Sequence, residues 1–102
     1  MPEFVRVAAV SDLPPGKVKQ IAVGPDRYIA LCNVEGTFYA LDNVCIHRGG
    51  PLGEGYVDGD KLECPWHGWQ FEVKTGCVAF NRREKIPTYE VRVEGSDVLV
   101  AL

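Results

Sequence analysis

The sequence predicts an all-β domain, a sandwich or barrel of short antiparallel strands. Short runs of β-branched and aromatic residues recur along the chain, turn-forming residues separate them, and no stretch keeps an apolar helical period for long. The segment "EFVRVAAVSDL" is the one that competes as a helix, and its β-branched content counts against it. With no linker, repeat or low-complexity segment in the sequence, residues 1–102 are predicted to form a single domain.

The individual strands follow in chain order. "FVRVAAV", "KVKQIAV" and "RYIALCNV" are apolar runs that the turn-forming segments "DLPPG" and "GPD" separate. Two hairpins are predicted next, one turning at Gly36 within "NVEGTFYAL" and one at Gly59 within "YVDGDKLEC". The chain closes with "TYEVRVEGSDVLVAL", in which alternating apolar residues lead into a turn at 94–96 and a last strand.

Composition and charge narrow the functional classes. A formal net charge of −3 at pH 7 argues against nucleic-acid binding, because phosphates call for a basic surface. No apolar run approaches the ~18 residues of a membrane-spanning helix, and the first residues, "MPEFVRVAAVSD", lack the apolar core of a secretory signal. We therefore expect a soluble, cytoplasmic monomer that binds neither nucleic acid nor membrane.

Each of the 2 histidines stands close to a cysteine. Cys45 and His47 lie in "CIHRGG", and Cys64 and His67 lie in "CPWHGW". Both stretches belong to a segment rich in Gly and Pro, approximately residues 43–80, which interrupts the strand pattern. Loops of this kind carry function when a rigid scaffold positions them. If the two loops met at their tips, they would bring two thiolates and two imidazoles to one four-ligand site.

Two kinds of metal centre suit this ligand set, a tetrahedral structural zinc and an iron–sulfur cluster with two histidine ligands. Zinc fingers usually pair cysteine with cysteine and histidine with histidine, on a short turn and a helix. Here each loop brings one of each and no helix follows, which favours two iron atoms held by both loops. Cys32 and Cys77 have no histidine nearby, and we interpret them as buried or half-buried free thiols.

The chain resembles the Rieske family. The resemblance rests on "CIHRGGPL" and "CPWHGW", and it extends through "LDNVC", "LGEGYVDGDKLECP", "GWQFEVKTG" and the closing hairpin to essentially the whole chain. It implies a Rieske-type antiparallel fold with a loop-rich cluster-binding subdomain, here residues 43–80, and one 2Fe-2S cluster. It also implies that Cys45 and Cys64 ligate one iron while His47 and His67 ligate the other.

Within this family the soluble ferredoxin branch is the better match. Cytochrome bc-type members carry an extra cysteine in each motif, joined as a disulfide, and those positions here are Gly50 and Trp66. The resemblance therefore implies a ferredoxin component of an aromatic-ring-hydroxylating dioxygenase. Such a protein takes electrons from an NAD(P)H-dependent flavin reductase and passes them to a Rieske oxygenase. The alternatives are a small subunit of another redox complex, such as nitrite reductase, and a structural zinc-binding module.

An enzymatic role of its own is not expected. A catalytic non-haem iron would need two further histidines and a carboxylate, and both histidines of this chain already belong to the two motifs. A glycine-rich nucleotide-binding motif is also missing after every predicted strand. The sequence thus predicts an electron-transfer protein.

Residues around the two motifs are expected to shape the site. Trp66, Trp69 and Phe71 should pack around the cluster and shield it from water. High-potential family members place a serine and a tyrosine where this chain has Trp69 and Phe71, so the resemblance implies a low reduction potential, about −150 mV. The glycines of the motifs should provide tight loop geometry. The polar run "NRREK", residues 81–85, is expected to be a loop.

Overall fold

The described part of the chain, residues 3–45, 49–66 and 68–102 of a computed structural model, contains twelve strands and two short 3-10 segments. The 3-10 segments are Val10–Asp12 and Leu52–Glu54. The strands are β1 (Phe4–Ala9), β2 (Val18–Gly24), β3 (Arg27–Val34), β4 (Thr37–Asp42), β5 (Tyr56–Asp58), β6 (Lys61–Glu63), β7 (Gln70–Glu72), β8 (Cys77–Val78), β9 (Asn81–Lys85), β10 (Thr88–Tyr89), β11 (Val91–Glu94) and β12 (Asp97–Ala101). No α-helix occurs in these ranges, hence none that could cross a membrane. The all-β prediction is confirmed.

The strands form three antiparallel sheets. Their orders are β1-β12-β11, β10-β4-β3-β2 and β5-β6-β7-β8-β9. The predicted hairpins turn where the sequence placed them, at Gly36, Gly59 and Gly95, whose φ angles are +97°, +60° and +61°. Residues with a β-carbon rarely adopt such angles, so glycine fixes these turns.

The four-stranded sheet is the middle layer of the molecule. Successive side chains of a strand point to opposite faces, and in β3 Ile29 and Leu31 enter one buried core while Ala30 and Cys32 enter the other. All of these residues are fully buried. Burial on both faces explains why "IALC" is a continuous apolar run and does not alternate with polar residues.

The two cores have different neighbours. In one, Val98 and Val100 of β12 pack against the middle sheet. In the other, Leu62 and Phe71 of the five-stranded sheet pack against the opposite face of the middle sheet. Cys45 and Cys64 belong to this second core, and so does Leu52 of the second 3-10 segment. The middle sheet thus supports the region that contains the cysteine motifs.

One predicted loop is a strand. Residues 81–85, "NRREK", form β9, the outer strand of the five-stranded sheet, where they pair with β8. The described side chains of this strand are exposed, so the run carries no apolar alternation from which a strand could be recognised. Its conformation comes from backbone pairing at a sheet edge, a position where charged side chains are common because they discourage further strand addition.

Candidate metal centre

Cys45 begins a loop that its own backbone closes. The N–H of Cys45 donates to the carbonyl oxygen of Gly50 over 3.0 Å, and the N–H of Gly49 donates to the carbonyl oxygen of Cys45 over 2.7 Å. Gly49 has a φ of +72°, which favours glycine. Immediately outside the loop, Val44 and Pro51 form an isolated antiparallel bridge. The result is a tight turn with Cys45 at its entrance.

The loop that follows Cys64 repeats this construction. The N–H of Cys64 donates to the carbonyl oxygen of Trp69 over 2.8 Å, which spans the same number of residues as the bond from Cys45 to Gly50. Gly68 stands at the place in this loop that Gly49 occupies in the first, and its φ is also +72°. The two loops therefore present their cysteines in equivalent positions, which the repeated spacing of cysteine and glycine in the sequence encodes.

The two cysteine side chains lie side by side below the surface. Each residue is 1% exposed, and the two thiols are close enough to form a hydrogen-bonded pair. Burial is the main cause that raises the pKa of the Cys64 thiol, and the neighbouring Cys45 raises this pKa further. A hydrogen bond from the backbone N–H of Trp66 lowers the same pKa. A metal ion binds thiolates and displaces their protons. Two adjacent sulfurs that are both buried away from water are thus suited to ligate the same iron.

Asn43 anchors the chain just before the first loop. It is 6% exposed, its Oδ1 accepts a hydrogen bond from the N–H of Gly53 over 2.7 Å, and its Nδ2 donates to Oε1 of Gln20 over 2.9 Å. Its carbonyl oxygen accepts the N–H of Leu52 over 2.7 Å. Gly53 packs so closely that a Cβ there would lie 2.5 Å from the Cα of Gln20. The start of the Cys45 loop is thereby joined to β2 and to the 3-10 segment.

The sequence analysis missed this role of Asn43 and Gln20. The two residues are 23 positions apart, and no spacing rule links an asparagine at the end of one strand with a glutamine in the middle of another. The available signal is Gly53, since a glycine outside a turn often marks a close approach of two backbones.

The predicted ligands divide into two that the structure describes and two that it does not. Cys45 and Cys64 are brought together, as expected from the two motifs. His47 and His67 lie outside the described residues, as does Arg48. Within residues 3–45, 49–66 and 68–102, no group of three or more His, Cys, Asp and Glu side chains is placed to hold a metal ion. The set of four ligands therefore stays a prediction.

The aromatic residues near the second cysteine differ in burial. Phe71 is fully buried in the same core as Cys45 and Cys64, and half-buried Trp69 packs against that core. The ring of Trp69 also meets the ring of Phe80 edge to face, with centroids 4.8 Å apart. Trp66, by contrast, is 49% exposed. With about half of its surface exposed, Trp66 shields the site less completely than Phe71 does.

The other two cysteines are free thiols away from the loop tips, as the sequence indicated. Cys32 is fully buried in β3, and burial raises the pKa of its thiol to about 12. Cys77 is half-buried in β8, the strand next to the sheet edge. A thiol as hard to ionise as Cys32 behaves as a small apolar side chain.

Comparison with known proteins finds one matching domain family and several similar chains. Residues 3–90 match the Rieske [2Fe-2S] domain. The biphenyl dioxygenase ferredoxin subunit of Pseudomonas sp. (strain KKS102) is 38% identical over 99 residues, which cover 95% of this chain and 90% of that protein. A chain in the solved complex of reduced oxygenase and oxidized ferredoxin in carbazole 1,9a-dioxygenase is 35% identical, with a TM-score of 0.87 and coverage of 96% and 92%.

A further solved structure shows the same fold at lower identity. The putative NADH-dependent nitrite reductase small subunit from Mycobacterium tuberculosis superposes with a TM-score of 0.90 and covers 100% of this chain and 96% of its own. Its identity is 21%. This likeness concerns the fold alone.

Proposed function

This chain belongs to the Rieske [2Fe-2S] domain family, and from that premise we propose that it carries electrons from a reductase to the terminal oxygenase of a ring-hydroxylating dioxygenase. The chain is an electron carrier with one Rieske-type 2Fe-2S cluster and is not itself a catalyst. Among its relatives are the ferredoxin subunit of biphenyl dioxygenase and a chain in a complex of oxygenase and ferredoxin. A carrier that an oxygenase oxidises must be reduced again, which calls for an NAD(P)H-dependent flavin reductase as the donor.

The ligands of the cluster are Cys45, His47, Cys64 and His67. The observation that supports this assignment for Cys45 and Cys64 is the pair of buried thiols that two similarly closed loops bring side by side. The assignment of His47 and His67 rests on the two sequence motifs. When bound, the cluster takes up and releases one electron. The protein's own contribution is to hold the thiolates at fixed positions, to exclude water with Phe71 and Trp69, and to leave one side of the loops open to a partner.

Three exposed apolar residues lie at or next to the two loops and suit contact with that partner. Val44, Trp66 and Phe80 are 52%, 49% and 67% exposed, and we call these three residues the apolar rim. Val44 precedes Cys45, Trp66 lies in the second loop, and the ring of Phe80 meets Trp69, the last residue of that loop, edge to face. Exposed apolar residues clustered at one place mark protein contact sites. Electron transfer favours contact here because it brings the partner's redox centre close to the cluster.

The organisation of the chain follows from this role. The chain forms a single Rieske domain over residues 1–102, with its cluster-binding part at 43–80. It works as a monomer, since a shuttle must leave one partner to reach the other. A location in the cytoplasm is supported by the donor, because NAD(P)H-dependent reductases draw on nucleotides of that compartment.

Metal analysis and a reoxidation assay test this function. The purified protein should contain about two irons and two acid-labile sulfides per chain, and the reduced protein should be reoxidised rapidly by a ring-hydroxylating oxygenase with its aromatic substrate and oxygen. The same mixture without the oxygenase is the control. Stoichiometric zinc without sulfide would contradict the cluster, and a cluster-loaded protein that no dioxygenase system oxidises or reduces would contradict the partners.

A further inference from the structure

The last residue of the first loop packs directly onto the second loop. A Cβ built on Gly50 would lie 2.7 Å from Sγ of Cys64 and 3.1 Å from both Cγ and Cδ2 of Trp66. These distances are shorter than ordinary van der Waals contacts, so Gly50 lies in close contact with Sγ of Cys64 and with the indole of Trp66. The backbone of Gly50 is therefore enclosed between the sulfur and the indole.

Each loop is closed by a backbone hydrogen bond of its own. The bond from Cys45 to Gly50 and the bond from Cys64 to Trp69 each close a loop on itself. The contacts between the loops include the two neighbouring thiols and the packing of Trp66 on Gly50. The thiols hold the cluster, and the indole adds a contact between the loops that needs no metal.

We propose that Trp66 is a positioning residue whose indole, packed on Gly50, clasps the two cluster-binding loops together. The inference rests on the proposed function, because it takes Cys45 and Cys64 as ligands of one cluster. The half-exposed ring of Trp66 is consistent with this role, because one part of the indole covers Gly50 and the other part faces outward.

The rate at which the cluster is lost tests the clasp. A cluster held between two loops escapes when the loops separate, so weakening their contact should speed its release. In the holoprotein, incubated without oxygen in the presence of an iron chelator, Trp66→Ala should lose its visible absorption roughly 2- to 10-fold faster than the wild type, as expected for one packed aromatic contact. Trp66→Phe keeps a ring at this position and should fall between the two. Tyr28→Ala is the matched control, because Tyr28 is 42% exposed on β3 in the middle sheet.

Hydrogen exchange separates a clasp from a general effect on stability. In Trp66→Ala the amides of Cys45 and Cys64 should exchange faster, while the amides of β3 keep their wild-type protection. Equal loss of protection in β3, or cluster release at the wild-type rate in Trp66→Ala, would overturn the proposal. If the wild-type protein holds no iron and sulfide, the proposed function fails instead, and the exchange of the Cys45 and Cys64 amides still decides whether Trp66 holds the loops together.

Discussion

The side-chain amide of Asn43 donates to the side-chain oxygen of Gln20 over 2.9 Å and so connects the strand end before Cys45 with β2. Asn43→Ala would break this bond and leave the buried N–H of Gly53 without its acceptor. We expect the free energy of unfolding to fall by about 1–3 kcal/mol, the cost of an unsatisfied buried donor, and the cluster to be released faster. Urea unfolding and the chelator assay measure the two effects.

Asn33 offers the matched control for Asn43. It is 3% exposed, donates to the carbonyl oxygen of Leu13 over 2.7 Å and accepts the N–H of Gly36 over 2.8 Å. Asn33→Ala should lower the unfolding free energy by a similar amount and leave cluster release unchanged, because its partners lie away from the two loops. Faster release in both variants would mean that Asn43 acts through global stability alone.

The side chains of Trp69 and Phe71, which carry no hydroxyl group, predict a low reduction potential. In high-potential relatives a tyrosine occupies the position of Phe71, and hydrogen bonds toward the cluster stabilise the reduced state. Because Phe71 is buried in the core that holds Cys45 and Cys64, Phe71→Tyr should raise the potential by up to about 90 mV, the equivalent of one hydrogen bond of about 2 kcal/mol in a one-electron couple. Trp69→Ser should shift it in the same direction.

Phe38→Tyr provides the comparison for this measurement. Phe38 is 8% exposed and belongs to the other core, so a hydroxyl there should leave the potential unchanged. Protein-film voltammetry gives the potentials of the wild type and of the three variants. The wild type should lie near −150 mV, the low end of the family's span, and a wild-type value above about +100 mV would contradict the assignment.

Burial of Cys32 predicts a loss of stability at alkaline pH. The pKa of its thiol is raised from 9.0 to about 12 in the folded protein. Between these values the unfolded chain has released the proton and the folded chain has kept it, so stability is full below about pH 9 and falls by ~1.4 kcal/mol per pH unit above it. Cys32→Ala should show a shallower decline in urea unfolding from pH 9 to 11. Parallel declines in the two proteins would show that other groups cause the effect.

The apolar rim predicts which surface substitutions slow electron delivery. Val44→Glu and Phe80→Glu should each reduce the rate of reoxidation by the oxygenase about tenfold, as for loss of an apolar contact in a protein interface. Val93→Glu is the control, since Val93 is 48% exposed on β11 in a different sheet. Iron content should stay at the wild-type value in all variants. Equal rates for the rim variants and Val93→Glu would place the contact surface elsewhere.

Features that depend on neighbouring residues could be predicted from the sequence. Gly36, Gly59 and Gly95 mark turns because a positive φ is a local requirement. The motifs "CIHRGG" and "CPWHGW" likewise indicated a common site, and the structure brings Cys45 and Cys64 together. In each case the chemistry is contained in a few adjacent positions.

Features that depend on partners distant in the chain could not be predicted. The strand at 81–85 exists because β8 supplies hydrogen bonds, and its exposed polar residues leave no pattern. The contact of Gly50 with Trp66 joins two loops whose relative position only the folded sheets determine. Half-exposure of Trp66 follows from that placement, whereas the residue type alone suggested burial.

Strand β3 also determines how the protein unfolds. Strand β3 contributes buried side chains to both cores, Ile29 and Leu31 to one and Ala30 and Cys32 to the other. Detachment of this strand would therefore disrupt both cores at once. Unfolding should therefore be one cooperative transition, with the β3 amides exchanging only through complete opening of the protein. A fragment made of the five-stranded sheet and the loops would lack the face of the middle sheet against which Leu62 and Phe71 pack. The cluster-binding part is consequently not a transplantable module: moved to another scaffold, it would have to bring the middle sheet with it.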